Sequence, residues 1–206
     1  MDVELGEVSP CSSREFYWNF AYSENDSVSG HGDRWRSTLG SRLSRLIGEG
    51  ARSQLTATDW TEVERGLEQA RGGYATSLMQ LRPDWYRVNI GVHQLAEVRV
   101  INHQPFLTVA PGRRLDDFVA GLDAGMDTPG DPFAQRYRRL RPLFQSERVR
   151  GVPILVARRL GASTVEVDGL TRMSILLSKL REGDEVPGSV ELLMGISEHI
   201  SDWRWF

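Results

Sequence analysis

Val165-Glu166-Val167-Asp168-Gly169-Leu170-Thr171-Arg172, continuing into Met173-Ser174-Ile175-Leu176-Leu177, is the stretch on which the reading of this chain turns. Val165 and Val167 flank Glu166 as in a short strand. Gly169 supplies a tight turn, and the apolar residues that follow predict a helix starting near Thr171. Such a junction aims the unpaired N–H groups of the first helical turn at one point, and the helix dipole makes that point positive. Asp168 would end the strand and Arg172 would stand in the first helical turn. An acid, a hydroxyl and a guanidinium then converge where a phosphate could sit.

Outward from the turn, the C-terminal part reads as mixed strand and helix. Val152 to Ala157 is a continuous apolar run, expected of a strand buried on both faces. Ser189 to Met194 is expected as the last strand. Arg87–Gly91 and Glu97–Ile101 alternate in polarity as strands do, and Phe106–Val109 is a third short strand candidate. Helices are expected over Leu115–Leu122 and from Pro132 to Phe144, with Pro142 ending or kinking the second. The aromatic tail Trp203-Arg204-Trp205-Phe206 is expected to dock, either on the body or on a second copy in a homodimer.

The first 85 residues read as mainly helical. Residues 1–11 are acidic and patternless, expected as a loose arm. Ser12 to Glu15 has capping-box spacing and opens a helix with Phe16 and Phe20 on one face. Ser23 to Asp33 is a polar loop. Trp35, Leu39, Leu43, Leu46 and Ile47 recur at helical spacing, as do Trp60, Val63, Leu67 and Ala70, and Tyr74 to Leu81 is a short fourth helix. The organisation expected is therefore a helical part over 1–85 and an α/β part over 86–206.

Composition narrows the chemistry. Hydrophobic residues make up 40% and charged residues 26% of the chain, as in globular proteins. No run approaches the roughly 20 apolar residues that cross a bilayer, and the acidic N-terminus has no apolar signal region. No membrane partner and a cytoplasmic location are the expectation. Cys11 is the only cysteine, which excludes an internal disulfide and a cysteine zinc site. Lys179 is the only lysine and lies in a helical pattern, so no Walker-A loop exists. Phosphate chemistry would have to use arginine, backbone N–H groups or a metal. The net charge of −3 argues against non-specific DNA binding as the main task.

The motif Asp168-Gly169-Leu170-Thr171-Arg172, set between the "GVPILV" of Gly151–Val156 and the "VPGSVELLMG" of Val186–Gly195, resembles the ParB/sulfiredoxin superfamily over about residues 95–195. Within the superfamily it looks most like the free-serine kinase branch, whose Asp-Gly-His-Thr-Arg it matches at four of five positions. The resemblance implies an α+β or α/β fold with a small mixed sheet. It implies a nucleotide at the start of the helix, ATP or ADP ahead of CTP, with Mg²⁺ as a companion ion. It also implies phosphotransfer to a small hydroxyl-bearing substrate such as serine. The alternative is a non-catalytic regulatory protein that binds nucleic acid or a partner with the same fold. Under the kinase reading Asp168 and Arg172 would be catalytic, and Gly169, Thr171, Arg172, Met173 and Ser174 would hold the nucleotide. Leu170 departs from the pattern where other branches carry a reactive or polar group; leucine cannot serve as a nucleophile, which removes sulfiredoxin chemistry.

A simpler reading of the turn stays open beside this one: Gly169 for the turn, Thr171 as a helix cap and Arg172 paired with Asp168 or Glu166. Glu97, Asp116 and Asp117 are candidates for the glutamate-type general base of the kinase branch. His103 lies in a loop after a strand candidate, suited to a site or to plain surface. His31, between two glycines, has no partner at metal-ligand spacing, and no protein metal site is expected. Arg136, Arg138, Arg139, Arg141, Arg148, Arg150, Arg158 and Arg159 would bind nucleic acid if grouped on one face, or form a solvated surface if not.

Overall fold

The computed structural model describes residues 5–26, 35–71, 73–144 and 152–206. The fold is mixed α+β. Its sheet contains β1 (Val8–Cys11), β2 (Asp84–Gly91), β3 (Ile154–Ala157), β4 (Val165–Asp168) and β5 (Ser189–Ile196). The strand order is β1-β2-β5-β3-β4. Only the β3–β5 pair among these described strands is parallel.

The two-residue period of the strands divides the core between the two faces of the sheet. Val88, Ile90, Leu155, Leu192 and Met194 face one layer of helices: α5 (Gln104–Val109), α6 (Leu115–Asp123), α7 (Phe133–Leu140) and α8 (Leu170–Glu182). Trp85, Ile154, Val156, Val165, Val167 and Leu193 face the other layer: α1 (Ser13–Asp26), α2 (Ser41–Gly48), α3 (Ala57–Arg71) and α4 (Tyr74–Met79). The helical first part thus shares a core with the strands of the second part. Phe16 of α1 stacks on Trp85 of β2 with ring centroids 4.7 Å apart. All four residues of β3 are buried, as its unbroken apolar run predicts.

Several local expectations are corrected by pairing. Val8–Cys11, taken as loose arm, is an edge strand antiparallel to β2; residues 1–4 lie outside the described residues. Phe106–Val109, taken as strand, belongs to helix α5, where Pro105 presets the first turn and Phe106 and Val109 bury one face. A four-residue apolar run is too short for its period to separate helix from strand. Glu97–Ile101 is not a full strand. The 3₁₀ turn Val92–Glu97 consumes its start, and Arg99 makes only isolated bridges, to Arg114 and to Val165. The Ser23–Asp33 loop begins late, because α1 continues through Asp26. His31 lies outside the described residues. Glu15 does not close a capping box onto its own helix; its carboxylate accepts hydrogen bonds from Arg52 and from Arg87, the latter at 2.6 Å.

A reciprocal cap opens α3 instead. Asp59 accepts from the Thr56 N–H at 2.8 Å, and its own N–H donates to Thr56 Oγ1 at 3.2 Å. Arg42 of α2 adds a bidentate contact at 2.6 and 3.2 Å. These hydrogen bonds, Arg42's first, hold the Asp59 carboxyl down at about 2. A carboxylate depressed in the folded state stabilises fully above its unfolded value of about 3.9 and loses that contribution as pH falls through the folded one. The α2–α3 contact is therefore expected to weaken between about pH 4 and pH 2. Urea midpoints measured across that window should fall more steeply for the wild type than for Asp59→Asn.

Candidate functional site

The turn after β4 is built by two constraints. Ile154 of β3 pairs with Asp168, which marks the end of β4. Gly169 then takes φ +91° and ψ 9°, and a β-carbon there would lie 2.8 Å from Pro153 Cα. Only glycine fits both the left-handed backbone and the approach of Pro153. Helix α8 begins at Leu170, one residue earlier than the pattern suggests. Gly169, not Thr171, is the capping residue, and no side chain caps the N-terminus. The N–H groups of Leu170, Thr171 and Arg172 therefore have no intrahelical acceptor.

The side chains of the motif divide by face. Leu170, Met173, Leu176 and Leu177 are buried in the core against Leu155 and Phe118. Position 170 serves packing, which accounts for an apolar residue there. Thr171 and Arg172 lie on the partly exposed side, beside the half-buried Asp168. Burial pulls the Arg172 guanidinium down to about 10, and the negative charge of Asp168 works the other way. Of the five residues expected to hold a nucleotide, Met173 and Ser174 have fully buried side chains, and the Met173 N–H donates to the Gly169 carbonyl at 3.0 Å. Gly169, Thr171 and Arg172 are partly buried, and the Arg172 guanidinium is largely withdrawn from solvent.

The candidate general bases are held elsewhere. Glu97 pairs with Arg114 at 2.7 Å. Asp116 pairs with Arg181 at 2.6 Å. Arg181 is near the far end of α8, roughly 14 Å along the helix from Arg172 at 1.5 Å per residue. Asp117 is exposed on α6.

What the structure does bring toward the turn is aromatic. Arg99 bridges to Val165 in parallel, so the segment beyond it runs alongside β4 toward Asp168 and delivers His103 to that end of the sheet. Tyr74 donates its hydroxyl to the Val167 carbonyl at 3.2 Å. The Trp205 ring lies 5.6 Å from Tyr74 and 6.2 Å from His103, and His103 Nε2 lies 3.3 Å from Asp131. These residues are scattered along the chain, and no local pattern announces their meeting. The aromatic tail does dock on the body: Trp203 is buried and donates its indole N–H to Ser77 at 3.2 Å.

The arginine-rich segment does not form one face among its described members. Arg138 donates to the Gly125 and Met126 carbonyls, Arg141 to Ser178 and Glu182, and Arg136 stacks over Phe133. Arg158 and Arg159 lie beyond β3 in a separate groove. Arg148 and Arg150 lie outside the described residues. No group of three or more histidine, cysteine or acidic residues forms a metal cage among the described residues, and no described helix is long and apolar enough to cross a membrane.

No protein-family model, curated protein or solved structure matches this chain.

Proposed function

We propose that the chain is a nucleotide-binding protein of the ParB/sulfiredoxin kind that takes the phosphates of ATP or ADP at the β4–α8 turn. The observation that supports this reading is an uncapped helix N-terminus, entered through a left-handed glycine, with a desolvated guanidinium in its first turn. The positive end of a helix dipole and a guanidinium beside it both favour an anion. In this reading the N–H groups of Leu170, Thr171 and Arg172 and the Arg172 side chain hold phosphate, and the Thr171 hydroxyl adds a donor. In the same reading Asp168 would hold a Mg²⁺ ion or an acceptor hydroxyl during phosphotransfer to a small alcohol such as serine. The setting would be cytoplasmic, where such nucleotides are abundant.

A second reading, binding without turnover, has its own support. Leu170 is committed to the core, and Glu97 and Asp116 are drawn away by Arg114 and Arg181. Calorimetric titration with ATP, ADP and CTP, with and without Mg²⁺, tests the site. Arg172→Ala should weaken binding by about tenfold or more, the value of a charge-assisted phosphate contact. Arg172→Lys, which keeps the charge but loses the planar fork, should fall between. If no nucleotide binds, or Arg172→Ala binds as the wild type does, the site is wrongly placed. Transfer of labelled γ-phosphate to free serine would separate the two readings.

A further inference from the structure

The parallel pair β3–β5 has its carboxyl ends at the end of the sheet opposite the turn, because β4 runs antiparallel to β3. A groove of about 930 Å³ lies there, between the α4–β2 connection, the loop after β3 and the loop after β5. Its charged lining includes Arg82, Arg158 and Arg159 of one sign, and Asp84, Glu198 and Asp202 of the other, with His199 4.0 Å from Asp202. None of the three guanidinium groups makes a hydrogen bond or ion pair with a described residue. Opposite charges share one groove and do not pair with each other.

The backbone supplies a second observation. Two described non-glycine residues have positive φ, and both are arginines: Arg113 at +63° and Arg82 at +48°. Arg113 has an internal reason for its conformation. Its guanidinium donates to the carbonyls of Val100, Trp205 and Phe206, so the strained backbone places three hydrogen bonds. Arg82 has no such contacts and is further restricted by preceding Pro83. Its N–H donates to the Met79 carbonyl at 3.0 Å where α4 ends, and its guanidinium is left at the groove.

We propose that this groove binds a small dipolar molecule: an oxyanion, phosphate or carboxylate, held by Arg82, Arg158 and Arg159, and an ammonium or hydroxyl group held by Asp84 and Glu198. Three arginines face three carboxylates, so the groove has no net attraction for a nucleic-acid backbone, whose repeated phosphates the acids would repel. A groove of this volume is within the range of small-molecule sites. The site is distinct from the β4–α8 turn and does not depend on its assignment.

The test is titration of the full chain with phosphoethanolamine, β-alanine, inorganic phosphate and ethylamine, followed by backbone amide NMR shifts. At least one of the two dipolar molecules should bind about tenfold more tightly than phosphate or ethylamine alone, since it engages both walls. Which one does so identifies the oxyanion. Shifts should map to residues 82–86, 158–160 and 196–202. The double variant Arg158→Ala/Arg159→Ala should weaken binding by about tenfold or more. Arg82→Gly should weaken binding while leaving Tm unchanged or raised, because glycine takes positive φ without strain. A purely structural Arg82 would instead lower Tm. The proposal is overturned if neither dipolar molecule outbinds phosphate, if the shifts fall at residues 169–173, or if the double variant binds as the wild type does.

Discussion

Gly169→Val should destabilise the protein by roughly 2–5 kcal/mol, the sum of a left-handed backbone penalty and an overpacking penalty. The first contribution comes from φ +91°, which a β-branched residue essentially never adopts. The second comes from Pro153, whose Cα and Cβ would lie 2.8 and 2.9 Å from the new β-carbon. Pro153 leads directly into β3 and is not the loose end of a flexible side chain, so relief requires moving backbone beside the central strands. Gly183, at the other end of α8, is the internal control. Its φ is +79°, but nothing lies within 4 Å of a β-carbon there. Gly183→Val should show the backbone penalty alone, about 1–2 kcal/mol. Denaturant midpoints of the two variants measure the difference. Equal losses would mean that the Pro153 contact yields and that the turn is less rigid than its packing indicates.

Phe16→Ala should cost roughly 3–5 kcal/mol, as expected for truncating a fully buried aromatic side chain. Phe16 is fully buried and touches Tyr17, Phe20 and Trp85. Its location makes the result informative about more than one cavity. Trp85 belongs to β2, which pairs with β5 along eight residues, from Asp84 opposite Ile196 to Gly91 opposite Ser189. Losing the Phe16–Trp85 stack therefore loosens the helical layer and the sheet together. Far-ultraviolet circular dichroism and tryptophan fluorescence should report one coincident transition in the wild type and a single, lower one in the variant. Transitions that fail to coincide between the two probes would show that the two parts unfold separately.

Much of the local structure was legible because period and turn chemistry speak directly. The β3 run and the Asp168-Gly169 turn each carry a signal within a few residues, and so does the stop at Pro142. What was misread was short. Phe106–Val109 has four apolar residues and could follow either period, and Pro105 tipped it to helix. Val8–Cys11 carries little apolar pattern because an exposed edge strand needs none; the pairing with β2 makes it a strand.

The candidate site divides the same way. Asp168, Gly169, Thr171 and Arg172 adjoin in sequence, so their meeting at one turn follows from the chain itself. The role of Leu170 did not. A leucine in a polar motif reads as a missing functional group until the core on the far side of α8 shows what it packs against. His103, Tyr74 and Trp205 gather near the end of β4, and Arg82, Arg158 and Glu198 gather at the opposite end of the sheet; both groupings join residues far apart in the chain.

By itself, then, the sequence determined that the chain is mixed α and β, that it carries a strand–glycine–helix junction with an acid before it and a guanidinium after it, and that a Walker-A loop, an internal disulfide and a cysteine zinc site are excluded. Those are properties of composition and of neighbours within a turn or two, where sterics and periodicity act over a few residues. Only the tertiary structure decided that the helical first part covers one face of the same sheet, that Leu170 is core, that Glu97 and Asp116 are paired with arginines, and that a mixed-charge groove opens at the other end. Those depend on strand order and on which helix covers which face, and these are set by burial summed over the whole chain, which no short stretch contains.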